Sequence, residues 1–102
     1  MAAIDRSPAE PNVLRLRGDA DLADRDAVAQ AGHDVLSQHH GDAIVIDMAE
    51  LTFLDSTIIG VLLELRKAAT QSGTEFALRA APTGVRRLLA VTGLDGILPI
   101  IP

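Results

Sequence analysis

The chain has 102 residues, 48% of them hydrophobic, with a formal net charge of −5 and no cysteine, tryptophan or tyrosine. That length suits one domain whose core is built from Leu, Ile, Val and Ala. An acidic chain without aromatic residues on a basic face does not fit nucleic acid as a partner, and the lack of cysteine excludes disulfides and thiolate chemistry.

No targeting or membrane segment is apparent. The amino terminus lacks a basic stretch followed by a long apolar run, which argues against a signal peptide. The longest apolar stretch is interrupted by Glu64 and Arg66, well short of the roughly 20 residues that span a bilayer. We therefore expect a cytoplasmic protein with no direct membrane insertion.

The amino-terminal third predicts an arm, a strand and a helix. Residues 1–12 are expected to form a loose arm, with a short edge strand near Ala3–Arg6 as an open alternative, and residues 13–102 the folded domain. Val13–Arg17 alternates apolar and basic side chains, as a half-exposed strand does, and Gly18 ends it. Asp21 can cap the helix that follows, whose apolar stripe consists of Val28, Ala31, Val35 and Leu36.

This first helix is expected to fray at its end and to stop at Gly41. His33, His39 and His40 could suggest a metal site there. Adjacent histidines point in different directions on a helix, and no acidic or thiol partner stands at ligand spacing. We therefore predict no metal and no cofactor.

The remaining pattern alternates strands and helices. Residues 43–47 have no polar face and predict a strand covered on both sides, ending at Asp47, whose carboxylate would satisfy turn N–H groups. Later elements are a helix from Ser56 or Thr57 to Gly73, a strand over 75–79, a helix from Pro82 to Gly93, and a short strand near Leu98–Ile101. Arg86 and Arg87 are expected on a solvated face of that last helix. The predicted fold is a single α/β domain with a mixed, mostly parallel sheet packed against helices.

The start of the second helix is the candidate site. A helix start leaves backbone N–H groups unpaired and carries partial positive charge, so a phosphate on Ser56 would be stabilised there. A serine at this position can also be an ordinary cap, and position alone leaves both roles open. Thr57 is a minor alternative acceptor of the phosphate. Asp55 can cap the helix and also accept a hydrogen bond from Ser56.

Catalysis by the chain itself is not expected. Ser56 does not lie in a Gly-x-Ser-x-Gly turn, and no histidine follows it that could act as its base. A Gly-x-x-x-x-Gly-Lys phosphate loop is also missing from the sequence. We predict a protein that is not an enzyme.

The segment Ile46–Gly60, with its Phe53-Leu54-Asp55-Ser56 core, resembles the signature of STAS domains, specifically the bacterial anti-sigma factor antagonists. Gly18–Asp21 resembles the family's Gly-x-x-Asp turn, and Val85–Ile97 its last helix and exit. The resemblance extends over nearly the whole chain from about Val13. One position departs from the pattern, because Ile58 stands where the family usually has glycine.

The resemblance implies partner switching. Such proteins bind an anti-sigma factor that is a serine kinase and thereby release a sigma factor. The kinase then phosphorylates the serine that matches Ser56, and a PP2C-type phosphatase removes the phosphate. On this basis the partner-binding residues are Asp21, Asp55, Ser56, Thr57, Ile58 and Ile59; for Asp21, a simple helix cap is an equal alternative.

Two other functions remain open at this stage. One is a STAS-type docking subunit of a membrane transporter ATPase complex that is never phosphorylated, in which Ile58 would be an apolar anchor in a permanent interface. The other, weaker, is a sensor that binds a small ligand such as a nucleotide beside the same turn.

Overall fold

The structure, a computed structural model, describes residues 1–38 and 42–102. The expectations for His39, His40 and Gly41 lie outside the described residues. Within them the chain forms five strands and three α-helices: β1 Ala3–Ser7, β2 Glu10–Ala20, α1 Arg25–Gln38, β3 Ile44–Leu54, α2 Ser56–Gln71, β4 Phe76–Arg79, α3 Thr83–Val91 and β5 Ile100–Ile101.

The strands form one sheet in the order β1-β2-β3-β4-β5, in which β1 is antiparallel to β2 and every other pair is parallel. Because the parallel strands follow one another in the same direction and such crossovers are right-handed, all three helices lie on one face of the sheet. Buried side chains from that face and from the helices form a single core, to which the largest contributions come from Leu14, Leu16, Ile44, Ile46, Met48, Ile58, Leu62, Leu65, Leu78 and Leu89. The predicted fold class is confirmed.

The other face of the sheet, here called the open face, carries ion pairs. Alternation along β3 places Val45 and Asp47 on this face, so the expectation of a strand covered by other elements on both sides is wrong. Arg79 binds Asp47 at 2.6 Å and Glu10 at 2.9 Å. Val45 is nevertheless buried, and the aliphatic parts of neighbouring side chains on this face can cover it.

These ion pairs shift the pKa values of their members. The hydrogen bond from Arg79 lowers the pKa of Glu10, and the two carboxylates raise the pKa of the Arg79 guanidinium. Burial alone would raise the pKa of Asp47, but hydrogen bonds from the Ala49 N–H and from Arg79 outweigh it and lower that pKa. The bond from Ala49 also confirms that Asp47 satisfies a nearby backbone N–H, at 2.9 Å.

The amino-terminal segment is more ordered than the sequence predicts. Ala3–Ser7 forms the edge strand β1, with Ile4 opposite Leu16, so the edge-strand alternative is confirmed and the loose arm is wrong for this segment. The next strand begins at Glu10 and continues past Gly18. Pairing to β2 on one side explains the order, because each strand supplies the hydrogen-bond partners of the other.

The strand β3 does not stop at Asp47 but continues through Leu54. Between Arg15 and Arg17 of β2 the partner on β3 advances from Asp47 to Glu50, which places one extra residue in β3. A second irregularity in the pairing of β2 with β3 lies between Leu51 and Phe53. Such β-bulges interrupt the alternation of side chains, which is why the pattern looks like a turn in the sequence.

The predicted ends of α2 are confirmed, since it begins at Ser56 and is followed by Gly73 in the left-handed conformation with φ of 69°. Its packing against α1 depends on a second glycine. A methyl group at Gly32 of α1 would overlap the Cδ1 and Cδ2 atoms of Leu65. The two helices therefore approach each other closely only because residue 32 has no side chain.

Replacement of Gly32 by alanine tests this contact. We expect Gly32→Ala to lower the free energy of unfolding by about 1–3 kcal/mol, because the core must move to admit the methyl group. Gly60→Ala is the matched control, since no atom lies within 4 Å of the added methyl group there. In that variant the gain in helix propensity should raise stability by about 0.5–1 kcal/mol. Urea unfolding followed by circular dichroism measures both, and equal effects would contradict the packing argument.

Candidate functional site

The candidate site lies at the edge of the sheet where the parallel strands end. β2 ends at Ala20 and β3 at Leu54, and their carboxyl ends are paired neighbours. From Ala20 the chain enters a 3-10 turn, Leu22–Asp24, and from Leu54 it enters α2 through Asp55. Parallel strands thus bring the 3-10 turn and the start of α2 side by side.

Asp55 joins three segments at this edge. One carboxylate oxygen, Oδ1, accepts a hydrogen bond from the Ile58 N–H at 3.1 Å, which confirms Asp55 as the cap of α2. The other oxygen, Oδ2, accepts from the Leu22 N–H at 3.1 Å. The backbone N–H of Asp55 donates to the Ala20 carbonyl at 3.2 Å. The position of α2 relative to β2 and the 3-10 turn is therefore fixed largely through one residue.

Ser56 is the first residue of α2 and is exposed, whereas the neighbouring Thr57 is half-buried. Across the described ranges, the Ser56 hydroxyl has no hydrogen-bond partner, and the bond to Asp55 that the sequence suggests is not formed. The first N–H groups of a helix have no acceptor within it, which leaves those of Ser56 and Thr57 available. At the start of α2, Ser56 is therefore more accessible than Thr57.

Ile58 and Ile59 do not lie where the sequence-based hypothesis places them. Ile58 has no exposed surface and Ile59 is 6% exposed, and both belong to the core. As partner-binding residues they are wrong in this structure, because a partner cannot reach side chains that already pack against the sheet. The isoleucine at the family's glycine position therefore fills the core and does not form an external anchor.

Asp21 is a cap, as one of its two alternatives predicts. Its side chain accepts a hydrogen bond from the Ala23 N–H at 3.0 Å, and the Asp24 carboxylate accepts from the Asp21 N–H at 3.1 Å. Asp24 is buried and also accepts from the Ala2 N–H at 3.0 Å, so it ties the amino terminus to the 3-10 turn. These bonds, led by that of the Asp21 N–H, lower the pKa of Asp24. The reciprocal pair is a capping box, and its Asp-x-x-Asp spacing is visible in the sequence.

Two exposed apolar side chains beside this turn are not among the predicted site residues. Leu22 is 67% exposed and Phe53 is 52% exposed. Adjacent residues of a strand face opposite sides, so the burial of Leu54 implies an outward Phe53. The bulges after Asp47 hide this alternation in the sequence, and Leu22 follows a polar turn, so the sequence gives no signal for either residue.

The described ranges hold neither a metal-ligand cluster nor a membrane-spanning helix. No three His, Cys, Asp or Glu side chains among these residues converge as metal ligands would. None of the described helices is long and apolar enough to cross a membrane. The candidate site therefore consists of the polar and apolar groups around Asp55 and Ser56.

Comparison with known proteins gives consistent matches. A family model described as "Mlab, STAS domain" matches residues 3–101. The anti-sigma F factor antagonist of Paenibacillus polymyxa is 33% identical over 88 residues, which cover 86% of this chain and 75% of that protein. The crystal structure of an anti-sigma factor antagonist from Mycobacterium paratuberculosis has a TM-score of 0.79 at 25% identity, covering all of this chain and 85% of that one.

The anti-sigma factor antagonist SpoIIAA has the same fold. Its unphosphorylated form matches with a TM-score of 0.77 at 17% identity, over all of this chain and 89% of that one. The phosphorylated form of SpoIIAA from Bacillus matches with a TM-score of 0.66 at 13% identity, over all of this chain and 92% of that one.

Removal of the Asp55 carboxylate tests whether it holds α2 and the 3-10 turn together. We expect Asp55→Ala to lower the free energy of unfolding by about 1–2 kcal/mol, because it deprives α2 of its cap. Asp55→Asn keeps one oxygen for the Ile58 N–H, so its free energy of unfolding should fall less. Amide hydrogen exchange adds a local test: Leu22 should exchange faster in Asp55→Ala. Unchanged exchange at Leu22 would show that its bond to Asp55 does not hold the turn.

The lowered pKa of Asp24 predicts an acid-sensitive contribution to stability. Its folded pKa lies below the usual aspartate value of 3.8, so the contribution is complete above about pH 4 and is lost as the pH falls through the folded pKa. Asp24→Asn should be less stable at neutral pH by about 1–2 kcal/mol, because an amide cannot accept both N–H bonds. The deficit relative to wild type should shrink in acid.

Urea unfolding at several pH values measures this difference. Asp26→Asn is the control, because the Asp26 side chain is 97% exposed and its loss should cost less than about 0.5 kcal/mol. A deficit in Asp24→Asn that stays constant with pH would refute the assigned role of the Asp24 charge.

Proposed function

Because this chain belongs to the anti-sigma factor antagonists of the STAS domain family, we propose that it antagonises an anti-sigma factor and that Ser56 is its phosphorylation switch. The observation that carries the proposal is the state of Ser56, an exposed hydroxyl that has no hydrogen-bond partner among residues 1–38 and 42–102, at the start of a 16-residue helix. A relative with this fold, SpoIIAA, has been solved in a phosphorylated form.

In the proposed cycle the unphosphorylated protein binds an anti-sigma factor that is a serine kinase, and a sigma factor is released. The kinase transfers a phosphoryl group to the Ser56 hydroxyl, and the complex dissociates. A PP2C-type phosphatase restores the hydroxyl. The protein is a substrate and a binding partner in this cycle and not an enzyme.

Electrostatics supports dissociation after phosphorylation. A phosphate adds about −1.5 to −2 charges directly beside the Asp55 carboxylate. In the free protein, water, the helix dipole and the N–H groups of Ser56 and Thr57 can accommodate that charge. In the complex the same charge would be desolvated, next to Asp55 and facing the nucleotide phosphates that any kinase holds at its active site. Each 1.4 kcal/mol or so of this repulsion weakens binding tenfold.

The burial of Ile58 bears on the competing function. A docking subunit that is never phosphorylated was favoured by an apolar anchor at residue 58, and this side chain lies in the core instead. Phosphorylation of an exposed serine needs no such anchor. The geometry therefore supports the switch better than the permanent interface.

The switch is tested with Ser56→Ala and Ser56→Asp beside wild type in the native cell. We expect intact-mass measurement to show a phosphate-sized increase in wild type that is missing in Ser56→Ala. Affinity capture should recover a serine kinase with wild type and Ser56→Ala but not with Ser56→Asp. Ser72→Asp is the matched control, since Ser72 is an exposed serine at the opposite end of α2 and its substitution should leave capture intact.

Three results would contradict the proposal. A mass increase that persists in Ser56→Ala would assign the phosphate elsewhere, with Thr57 as the next residue to test. Equal capture of one partner by all variants, with no mass increase, would favour the docking subunit. Loss of capture in Ser72→Asp as well would show that added charge anywhere on the surface is sufficient.

A further inference from the structure

We infer that Phe53 and the cleft beside it receive an apolar side chain from a basic segment of the partner. This inference rests on the proposed function and deepens it, because it assigns the contact surface that Ile58 and Ile59 do not provide. Three observations carry it: the exposure of Phe53, the shape of the cleft, and the charge around both.

Phe53 is unusual among the large apolar residues of the chain. The chain has two phenylalanines, and the other, Phe76, is 6% exposed against 52% for Phe53. An exposed aromatic ring forgoes the free energy that its burial would release. Phe53 lies only three residues before Ser56, and Leu22, also exposed, bonds to Asp55 through its N–H. Both apolar groups therefore flank the proposed switch.

The cleft next to Phe53 offers a place for such a group. It measures about 290 Å³ and separates the end of β3 from the first turns of α3. Its walls are mostly apolar and include Leu54, Pro82, Val85 and Leu88. One side of the cleft is open at Gly84, which has no side chain, and a methyl group added there would have no atom within 4 Å. An aliphatic side chain entering here would contact Phe53 and the α3 surface together.

Charge indicates the chemistry of the partner. Four carboxylates lie in the carboxyl-terminal halves of β2 and β3 and in the residues that follow these strands, and are here called the acidic rim: Asp19, Asp21, Glu50 and Asp55. Across the described residues none of these four carboxylates forms an ion pair. Asp19 accepts a hydrogen bond from the Thr52 hydroxyl at 2.5 Å, a neutral donor that leaves its charge uncompensated. A partner surface with Lys or Arg beside its apolar side chain is complementary to this rim.

The open face of the sheet is a useful contrast. Its carboxylates already have partners, since Asp5 binds Arg15 and Arg17 while Asp47 binds Arg79. The strand neighbour of Glu50, Arg17, is itself held by Asp5 at 2.9 Å. The open face therefore has little net charge to attract a partner, and the acidic rim has several unmatched charges.

The apolar part is tested with purified protein and the purified anti-sigma factor kinase, by isothermal titration calorimetry. We expect Phe53→Ser to weaken binding at least about tenfold, as for a buried aromatic contact. Val91→Ser is the matched control, because Val91 is 80% exposed on the surface of α3 and does not line the cleft. It should change the affinity less than about twofold. Circular dichroism confirms that both variants are folded.

A second matched pair of variants tests the role of the acidic rim. Glu50→Lys and Glu75→Lys change the net charge equally, and both residues are exposed, but Glu75 precedes β4 at the opposite end of the sheet. We expect Glu50→Lys to slow association and to reduce the dependence of binding on salt, and Glu75→Lys to do neither. Equal effects of the two substitutions would attribute the attraction to net charge alone and overturn the role of the acidic rim.

The outcomes separate this inference from the proposed function. If Ser56→Asp abolishes kinase binding but Phe53→Ser binds like wild type, the docking site is refuted and the switch stands. If wild type binds no serine kinase, both fall. If Phe53→Ser leaves kinase binding intact but abolishes self-association in analytical ultracentrifugation, the cleft belongs to a second copy of this chain, and the inference is overturned.

Discussion

The carboxylate of Asp55 is the constraint on which the site depends. Two of its oxygen–amide bonds and one bond from its own backbone hold α2, the 3-10 turn and the end of β2 together. Ser56 begins the helix next to these bonds, and its exposed hydroxyl makes no hydrogen bond within the described part of the chain. The same carboxylate is a fixed negative charge beside the position where a phosphate would be added. One residue thus supports the fold locally and sets the electrostatics of the proposed switch.

The remainder of the molecule supports this edge in a simple way. All helices cover one face of the sheet, so the core is a single layer of aliphatic side chains between sheet and helices. Because Gly32 has no side chain, α1 packs closely against Leu65 of α2. The other face is stabilised by mutually paired charges around Arg79. Neither region contains the residues of the proposed switch.

The sequence predicts the fold class, the ends of α2 and the cap at Asp55, because apolar periodicity and capping residues are local signals. It does not predict that β3 continues through Leu54, since the bulges after Asp47 disturb the alternation on which strand prediction depends. The resemblance also makes Ile58 a partner-binding residue, because a match to a glycine position says nothing about where a larger side chain packs. The exposure of Leu22 depends on the neighbouring turn and is a tertiary property.

The unpaired carboxylates of the acidic rim are distinct from the paired charges of the open face. This difference has a consequence for cells that hold several such regulators. Glu50 makes no side-chain bond in the part of the chain that the structure describes, so its identity can drift with little effect on folding. If the acidic rim selects the partner as inferred above, a duplicated copy could acquire a new rim, and with it a different partner, while keeping the same core. Insulation between parallel signalling pairs would then evolve by charge changes at one edge of the sheet, without the loss of stability that usually limits divergence.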